Sequence, residues 1–459
     1  MQVTDGHVTA IAPDLPRTGD VVDGGGGTLL PGLVDAHVHA TQWASSRRRI
    51  SLAAARSAAE AVDMVVRANP TDELVMGHGF RDGAWPDEPH KDLLERALPG
   101  RAVALFSNDL HTLWLSPAAL RLVGRDHPSG VLVENDCMAA TADLPSASTE
   151  TSDEWVLAAM DAAAARGVTG IVDYEYSDTV TDWLRRMDLR SPSVRVSAVV
   201  ARPLLDTAIS RVHRTGDVVA GSDGLLTVGP YKLFVDGSLN TRTAYCHSPY
   251  PDDSHGLVEL PFDALVTLMA KASSHGMSPA VHAIGDHANT IALDAFAAVG
   301  CSGRVEHAQL VRAADLPRFA SLGVVASVQP AHQPDDRDVA DQHWAGRTSD
   351  AFPYAALSAA GATLEIGSDA PVAPLDPWDG IASAVTRTDD SRPPWHPEQA
   401  IPLPVALAAA SKGRGSVRVG DVADLLVTTV DPGMVAPHEL RDIPVRLTLL
   451  GGRVTHFAD

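Results

Sequence analysis

Two histidines stand one residue apart at the end of an apolar run, in the stretch LPGLVDAHVHAT of residues 30–41. Side chains alternate between the two faces of a β-strand, so His37 and His39 point one way while Val38 points the other. Two imidazoles on one face can hold a metal ion. The same pair could also be two ordinary histidines on a surface strand, and the rest of the chain has to decide between these interpretations.

Four more residues that can bind a metal stand at the ends of other apolar runs. They are Lys232 in YKLFVDG, His282 in AVHAIGD, His307 in VEHAQ and Asp369 in GSDAPV. Taken singly, each has an ordinary explanation: a buried histidine with a hydrogen-bond partner, a turn-capping aspartate or a lysine that reaches solvent. If the runs are strands of one parallel barrel, however, their carboxyl ends converge. The six residues together therefore predict a metal site.

Lysine is scarce in this chain, which draws attention to Lys232. Of 36 basic residues only four are lysines, at positions 91, 232, 271 and 412. A protonated amine would be repelled by a metal ion, but a desolvated amine can react with CO₂ to form a carbamate whose oxygens can bridge two ions. Arginine cannot do this, because its guanidinium stays protonated. The pattern therefore suggests that Lys232 is N6-carboxylated.

The elements that would position these residues are short apolar strands alternating with alanine-rich helices, a pattern typical of α/β proteins with a parallel sheet. The segment 151–167, for example, has Thr and Ser at its start, acids in the first turn and Gly at its end, as expected of a helix. Eight strands with crossover helices predict a (β/α)₈ TIM barrel, whose active-site residues lie at the carboxyl ends of the strands. The predicted strands span residues 32–40, 167–176, 194–203, 229–237, 278–286, 303–310, 323–330 and 362–371.

Two further strand-like runs, residues 72–80 and 102–111, would exceed eight barrel strands. We interpret residues of about 60–145 as an α/β insertion after the first barrel strand that covers the barrel mouth. The alternative is that these runs are themselves barrel strands. Both chain ends consist of short β segments with turns, so residues 1–32 and 414–459 are predicted to form a small β-sandwich beside the barrel of residues 33–413.

Composition excludes several classes of protein. The net charge of −22 disfavours nucleic acid and anionic membrane as partners. No segment approaches the roughly 20 apolar residues of a membrane helix, and the start lacks the pattern of a secretory signal, so we expect a cytoplasmic protein. The three cysteines, at positions 137, 246 and 301, have no short spacing. This argues against a disulfide framework and a thiolate zinc site.

Several sequence blocks resemble one known family. They are LPGLVDAHVHA, GHGFRDGAWPDEP, SNDLHTLWLSPAAL, KLFVDGSLNTRTA, VHAIGD, VEHAQL, SVQPAH, GSDAPVAPLDPWDGI and VGDVADLLV. With the order His-x-His, Lys, His, His, Asp, they resemble the metal-dependent amidohydrolase superfamily and, from about residue 5 to 455, its amidohydrolase 3 branch, which includes N-substituted formamide deformylases. The resemblance implies a barrel with a small β-sandwich, one or two zinc ions and hydrolysis of a non-peptide C–N bond. One departure is Leu110 in SNDLH, where the family often has Asp-Gly-His.

The resemblance also implies roles for the residues. Zinc bound by histidines and a carboxylate lowers the pKa of a bound water, and Asp369 is placed to take that proton and pass it to the leaving nitrogen of an amide. His282 or His111 would stabilise the oxyanion. The predicted metal ligands are His37, His39, Lys232, His282, His307 and Asp369. The substrate is expected to be a small-molecule N-formyl or N-acyl amide.

Other residues at strand ends and in the insertion are candidates for substrate contacts, although each could equally be an ordinary loop or interface residue. Arg387 could hold a carboxylate. The candidates are His111, Trp85, Trp114, Tyr174, Glu175, Gln329, His332 and Arg387.

Alternative functions stay open at this point. A hydrolytic deaminase acting on a cyclic amidine would need an acid near His282; Asp286 is available, whereas Glu306 is predicted to face away from the site because it adjoins His307. A metal-free scaffold is disfavoured because all six ligands are present. A lyase or isomerase would be distinguished by its products. Lid insertions and β-sandwich extensions often mediate dimers, which favours a homodimer.

Overall fold

The central element of the fold is a sheet of eight parallel strands, each paired with the next along the chain. The computed structural model describes residues 1–17, 19–145 and 147–458. A parallel bridge between Val38 and Ala370, beside the two edge strands, brings the sheet round to form a barrel. The first to eighth barrel strands are Leu33–Val38, Val168–Asp173, Arg195–Val200, Leu226–Phe234, Pro279–Ala283, Gly303–His307, Val324–Val328 and Leu364–Ile366.

All eight predicted strands overlap the observed ones, which confirms the predicted TIM barrel. The strands are rich in aliphatic residues because side chains fill the interior and helices cover the outside. Every residue of the second strand, for example, is buried. The α-helices of the barrel region are Ala40–Ser46, Thr149–Ala164, Thr179–Leu189, Leu205–Ser210, Phe262–Ser274, Asp286–Val299, Leu316–Leu322, His332–His343, Tyr354–Ala359, Pro377–Thr386 and Leu403–Ala409.

The helix predicted over residues 151–167 is observed as Thr149–Ala164, and its ends have local causes. Ser148 is the N-cap, because its side chain accepts a hydrogen bond from the backbone N–H of Thr151. The chain leaves the helix through Gly167, whose φ of 85° lies in the left-handed region that favours glycine. The second barrel strand begins at the next residue.

The two additional strand-like runs belong to a separate five-stranded sheet, so the alternative that they are barrel strands is wrong. This sheet lies between the first barrel strand and the Thr149–Ala164 helix in chain order, and its first strand begins at Ile50. Its strands are Ile50–Ser51, Leu74–Phe80, Ala102–Ser107, Thr112–Leu115 and Val131–Val133. Its α-helices are Ala58–Arg67, Lys91–Ala97, Pro117–Leu122 and Glu134–Asp143.

The two chain ends pair with each other, as the sequence predicts. An antiparallel sheet joins Thr28–Pro31 to the C-terminal strands Leu425–Thr428, Val445–Leu450 and Arg453–Phe457. A hairpin of Gln2–Thr4 and His7–Ala10 packs Val8 against Leu425 and Leu447. The exact domain boundaries stay predictions. Within the described residues, no helix has the length and apolar character needed to cross a membrane.

Short 3₁₀ helices complete the described elements. They are Asp82–Ala84, Arg202–Leu204, Thr348–Asp350, Pro397–Gln399 and Pro437–Asp442.

Candidate metal centre

His37 and His39 lie at the carboxyl end of the first barrel strand and face one carboxylate oxygen. Asp369 Oδ1 lies 3.5 Å from His37 Nε2 and 3.3 Å from His39 Nε2. The backbone supports this arrangement, since Asp369 has a φ of 56° and its N–H donates to the His37 carbonyl oxygen at 2.7 Å. One ligand atom from each of the three residues lies within 4.8 Å of the other two, which is close enough to hold a metal ion.

A second group of three ligand atoms shares Asp369 with the first. It contains His307, at the end of the sixth barrel strand, and His332, at the start of the His332–His343 helix. The three atoms again lie within 4.8 Å of one another, and all three residues are buried. His332, which the sequence suggested as a substrate contact, therefore stands among the candidate metal ligands.

Two adjacent residues of the sixth barrel strand, Glu306 and His307, both face the first strand and the site. Strand alternation predicts that Glu306 faces away from the site, and this prediction is wrong: His37 Nδ1 lies 2.7 Å from Glu306 Oε2. His307 reaches the site because its φ of 78° takes it out of the extended conformation in which neighbouring side chains alternate. Glu306 and His307 are both buried.

Lys232 lies in the interior of the barrel on the fourth strand. Its Nζ is 4.7 Å from the centre of the Tyr174 ring and 4.7 Å from that of Phe234. Only 2% of the residue is exposed, and this burial lowers the pKa of Lys232 to about 8. At pH 7 about a tenth of the amine is therefore unprotonated, far more than for a lysine of ordinary pKa.

His282, on the fifth strand, lies beside His307, with the ring centroids 4.5 Å apart. Its Nδ1 is 3.1 Å from Asp236 Oδ1. The Asp236 carboxylate also accepts the backbone N–H groups of Tyr245, Ile284 and Gly285. Asp236 therefore holds the proton on Nδ1 and leaves Nε2 of His282 free as a ligand or acceptor.

Two buried carboxylates that orient the ligands, Asp236 and Glu306, were not assigned these roles from the sequence. Glu306 receives hydrogen bonds from the Tyr174 hydroxyl at 2.7 Å and from Arg304 Nε at 2.5 Å, in addition to its contact with His37. The signal that could have identified it is the pair Arg304 and Glu306, two charged residues on one face of a strand predicted to be buried. Such charges must pair with each other or with a functional group.

The electrostatics of the site fit a divalent cation. Burial and the nearby Lys232 lower the pKa of His37 to about 4, and burial holds the pKa of His307 well below its usual range. Although burial alone would raise it, the pKa of Asp369 is held well below its usual value by His37 and His39. Nδ1 of both His39 and His307 is buried without a hydrogen-bond partner. Although burial opposes it, the pKa of His39 is raised by its hydrogen bond to Asp369. Imidazoles around one carboxylate are the donor set that zinc prefers, and a bound cation displaces any proton from the ring nitrogen that it occupies.

His111 connects the insertion to the same region. Its Nδ1 lies 2.7 Å from Glu134 Oε2, and although burial opposes it, this contact raises the pKa of His111 to about 9. The preceding residue, Leu110, has a φ of 63°. This is the conformation that favours glycine, which accounts for the glycine that the family often has there.

Comparison with known proteins agrees with this geometry. A family model described as "Amidohydrolase family" matches residues 20–456. The chain belongs to the amidohydrolase family. It is 26% identical to the putative amidohydrolase YtcJ of Bacillus subtilis (strain 168), over 94% of this chain and 89% of the relative. It is also 26% identical to the N-substituted formamide deformylase of Arthrobacter pascens, over 96% of this chain and 90% of the relative.

A solved structure extends this comparison to the fold. The uncharacterized metal-dependent hydrolase from Pyrococcus horikoshii OT3 is 25% identical and superposes with a TM-score of 0.76, over 91% of this chain and 89% of that structure. The motifs that predicted the amidohydrolase 3 branch are thereby confirmed. The protein is a metal-dependent amidohydrolase, an enzyme of a class that hydrolyses C–N bonds.

Three of the residues that the sequence suggested as substrate contacts of this amidohydrolase make contacts within the protein. The Tyr174 ring stacks on His37 with the centroids 3.8 Å apart. Glu175 accepts hydrogen bonds from the backbone N–H groups of Thr41 and Gln42, in the first turn of the Ala40–Ser46 helix. Gln329 is buried, and its Nε2 donates to the Ser327 carbonyl oxygen.

Three other predicted substrate contacts pack against other side chains or bond to the backbone. Trp114 is fully buried in the core of the insertion sheet, and Trp85 packs beside it against Phe80. Arg387, which the sequence suggested as a carboxylate binder, is fully buried and donates to the carbonyl oxygens of Phe352 and Trp395. Arg387 therefore ties barrel loops together through Nε and Nη1, and its role as a carboxylate binder stays a prediction.

Proposed function

We propose that this amidohydrolase cleaves the C–N bond of a small-molecule N-formyl or N-acyl amide, with zinc as its cofactor. The observation that carries the proposal is the position of Asp369, which faces histidines through both carboxylate oxygens at the carboxyl edge of the barrel. The Arthrobacter pascens relative, an N-substituted formamide deformylase, supports the choice of an amide substrate.

The proposed ligands are His37, His39, Lys232, His282, His307 and Asp369. Zinc held there would polarise the amide carbonyl and make water a better nucleophile at neutral pH. Asp369 is ionised at that pH, because its pKa lies well below the usual range. Its carboxylate therefore accepts the proton that the attacking water loses and passes it to the leaving nitrogen.

Of the two histidines considered as oxyanion stabilisers, His111 fits the role. It is protonated at neutral pH, since its pKa is raised to about 9, and it can donate from Nε2 while Glu134 occupies Nδ1. The Nδ1 proton of His282 faces Asp236, which leaves Nε2 as a metal ligand and without a proton to donate. A donor that is already oriented before the reaction lowers the barrier more than a mobile one.

Lys232 enters the proposed site as a carbamate. Its Nζ attacks CO₂, so that an N–C bond forms while one C=O π bond of CO₂ breaks and places its electrons on oxygen. The nitrogen then releases one proton to water, which leaves an anionic group with two oxygens. Burial supplies the unprotonated amine that this step needs, because it lowers the pKa of Lys232 to about 8.

The contacts of two acids disfavour the deaminase alternative. Asp286 accepts the backbone N–H of His247 at 2.9 Å, and Glu306 is shared among His37, Tyr174 and Arg304. Glu306 is therefore fully engaged, and one oxygen of Asp286 is already occupied by a backbone N–H group. Amide hydrolysis needs only Asp369 for this purpose, and it fits the site better.

The test is a product assay on protein purified without chelator. We expect amine and formate or carboxylate from a panel of N-formyl and N-acyl amines, loss of activity after dialysis against a chelator, and recovery with zinc. Asp369→Asn should lower kcat by about 10³-fold, whereas Asp188→Asn, an exposed control, should leave it unchanged. Ammonia from cyclic amidines without cleavage of any amide would establish the deaminase instead.

A further inference from the structure

Stacked rings fasten the loop between the fourth barrel strand and the Phe262–Ser274 helix to the side of the barrel. His247, in this loop, stacks on His287 with the ring centroids 4.0 Å apart and the ring planes at 16°. Tyr245, in the same loop, also stacks on His287, at 4.5 Å. His287 lies in the first turn of the Asp286–Val299 helix. These three rings, here called the ring stack, therefore join the loop to that helix.

Backbone hydrogen bonds hold the same part of the loop. The Tyr245 carbonyl oxygen accepts N–H groups from the first turn of the helix, and Asp286 Oδ1 accepts the N–H of His247 at 2.9 Å. The N–H of Tyr245 donates to Asp236 Oδ2 at 2.9 Å, and Asp236 is the carboxylate that orients His282. The ring stack therefore lies beside a support of the active site, although none of its rings is a proposed metal ligand.

The position of Arg312 shows which protonation state of His247 the ring stack needs. Arg312 Nη1 lies 3.3 Å from His247 Nε2, and a guanidinium can only donate. Nε2 therefore accepts, which makes the ring neutral with its proton on Nδ1. The Thr290 hydroxyl, 3.4 Å from the same nitrogen, donates to Asp315 Oδ2 at 2.6 Å. A proton on Nε2 would place two N–H donors and two positive charges against each other.

The groups around the ring stack also disfavour a second positive charge. The charged and titratable side chains packed near it are His255, Asp286, Arg312, Asp315 and Arg347. Burial, followed by the neighbouring His247, lowers the pKa of His287, although Asp286 opposes this shift. Asp315 is already in an ion pair with Arg318. Both imidazoles are therefore held in surroundings that suit their neutral forms.

We propose that the ring stack is an acid-sensitive clasp, which holds residues 245–250 against the helix while His247 and His287 are neutral and releases them when the rings are protonated. A histidine whose pKa is lower in the closed form favours the released form as the pH falls. The stability that the neutral rings contribute is therefore complete above pH 6.5, the ordinary histidine pKa, and declines as the pH falls below it.

Release of the clasp would withdraw the Tyr245 N–H from Asp236, one of the three backbone donors to that carboxylate. The orientation of His282 would then be less well defined, and amide cleavage should slow reversibly in acid. This consequence rests on the proposed function, whereas the release itself does not.

The test is hydrogen–deuterium exchange of the peptide that covers residues 245–250, at about pH 8 and about pH 5, on either side of the ordinary histidine pKa. After correction for intrinsic exchange rates, protection in the wild type should fall by about 10-fold at the lower pH. The double variant His247→Phe/His287→Phe keeps flat rings that cannot be protonated, so its protection should be the same at both pH values. His438→Phe, at an exposed histidine of the Pro437–Asp442 3₁₀ helix, is the control and should behave as the wild type does.

The metal-free protein is measured in the same way, because acid also releases metal from histidine ligands. The same loss of protection is expected there, since the clasp contains no proposed metal ligand. If the double variant does not fold, as judged by thermal unfolding, Arg312→Gln at an exposed position replaces it. Its loss of protection should be smaller than that of the wild type, because the cation that opposes protonation of His247 is gone.

Two outcomes overturn the inference. One is a wild type whose protection is unchanged between the two pH values. The other is a folded double variant or, in its place, Arg312→Gln that loses as much protection as the wild type. Failure of the proposed function is distinguishable, because it would appear as an absence of amide cleavage at every pH and would leave the exchange result as it stands.

Discussion

His37 has a partner that fixes which of its nitrogens faces the metal centre. Its Nδ1 lies 2.7 Å from Glu306 Oε2. The pKa of Glu306 is held well below its usual range, because Arg304 and the hydrogen bond from His37 outweigh the effect of burial. The carboxylate therefore accepts the Nδ1 proton and leaves Nε2 available for a cation. Asp236 acts on His282 in the same way.

We predict that Glu306→Gln weakens zinc binding by about 10- to 100-fold, because the partner that orients His37 loses its charge. The unfolding free energy should fall by about 3 kcal/mol, since Arg304 then stays buried with a single anionic partner, Glu365. Zinc affinity is measured by competition with a chromophoric chelator, and stability by denaturant unfolding.

Tyr174→Phe is the control for this change. It removes only the hydroxyl that donates to Glu306 Oε1, so we expect a loss of about 1 kcal/mol and near-normal zinc affinity. A folded Glu306→Gln with wild-type zinc affinity would contradict the orienting role of Glu306.

At the scale of elements, one carboxylate joins the insertion to the barrel. Glu134, at the start of the Glu134–Asp143 helix, contacts His111 at 2.7 Å through Oε2. Its Oε1 accepts hydrogen bonds from Thr241 and Thr243, in the loop after the fourth barrel strand. The position of His111 therefore depends on contacts between the insertion and the loop after the fourth barrel strand.

This junction gives a pH dependence of stability that can be predicted. The folded-state pKa of His111 is raised to about 9 from an ordinary pKa of 6.5. The stability that its protonated ring contributes is therefore complete below pH 6.5 and is lost as the pH rises through about 9. Although burial opposes it, the pKa of Glu134 is lowered to about 2 by His111 and the threonines. The stability that the Glu134 carboxylate contributes is therefore complete above pH 4.5, its ordinary pKa, and is lost as the pH falls through about 2.

We therefore expect the stability difference between wild type and Glu134→Gln to be largest between pH 4.5 and 6.5, at about 2 kcal/mol, and to shrink as the pH passes 9. Denaturant unfolding at a series of pH values measures it. Glu154→Gln, at an exposed position of a barrel helix, should change stability by less than about 0.5 kcal/mol at each pH. A difference that does not vary with pH would contradict an ionic contact.

At the scale of the whole molecule, the barrel closes where its eighth strand meets its first. Asp35 Oδ1 accepts the backbone N–H of Ser368 at 2.9 Å and that of His37 at 3.2 Å. Gly367 lies so close that a Cβ there would stand 2.6 Å from the His37 nitrogen and 2.9 Å from its Cβ. The contacts that close the barrel therefore also fix the positions of His37 and His39.

We predict that Gly367→Ala pushes the first and eighth barrel strands apart. The new Cβ would meet the backbone of His37, which cannot move aside as the end of a flexible side chain can. The expected cost is about 3 kcal/mol of unfolding free energy, together with loss of bound zinc. Gly415→Ala is the control, since a Cβ at Gly415 meets open space. Thermal unfolding and elemental analysis measure the two effects, and normal zinc content in a folded Gly367→Ala would contradict this coupling.

Much of the fold was predictable because its signals are local. The eight strands are short apolar runs that end in ionisable residues. Because the carboxyl ends of parallel barrel strands lie at one end of the barrel, the other five predicted ligands could be expected to gather around Asp369. The insertion was recognisable as extra strands, but its first strand, Ile50–Ser51, is only two residues long. A segment that short has no periodicity that could mark its start.

The sequence by itself determined the family, the barrel and the residues that can bind a metal, because these depend on residue type and on the spacing of apolar runs. Only the tertiary structure decided which side chains meet. Glu306 reaches His37 across 269 positions of the chain, His307 leaves strand alternation through its φ of 78°, and Arg387 lies buried. Such contacts arise from packing between distant segments, which no local pattern of residues encodes.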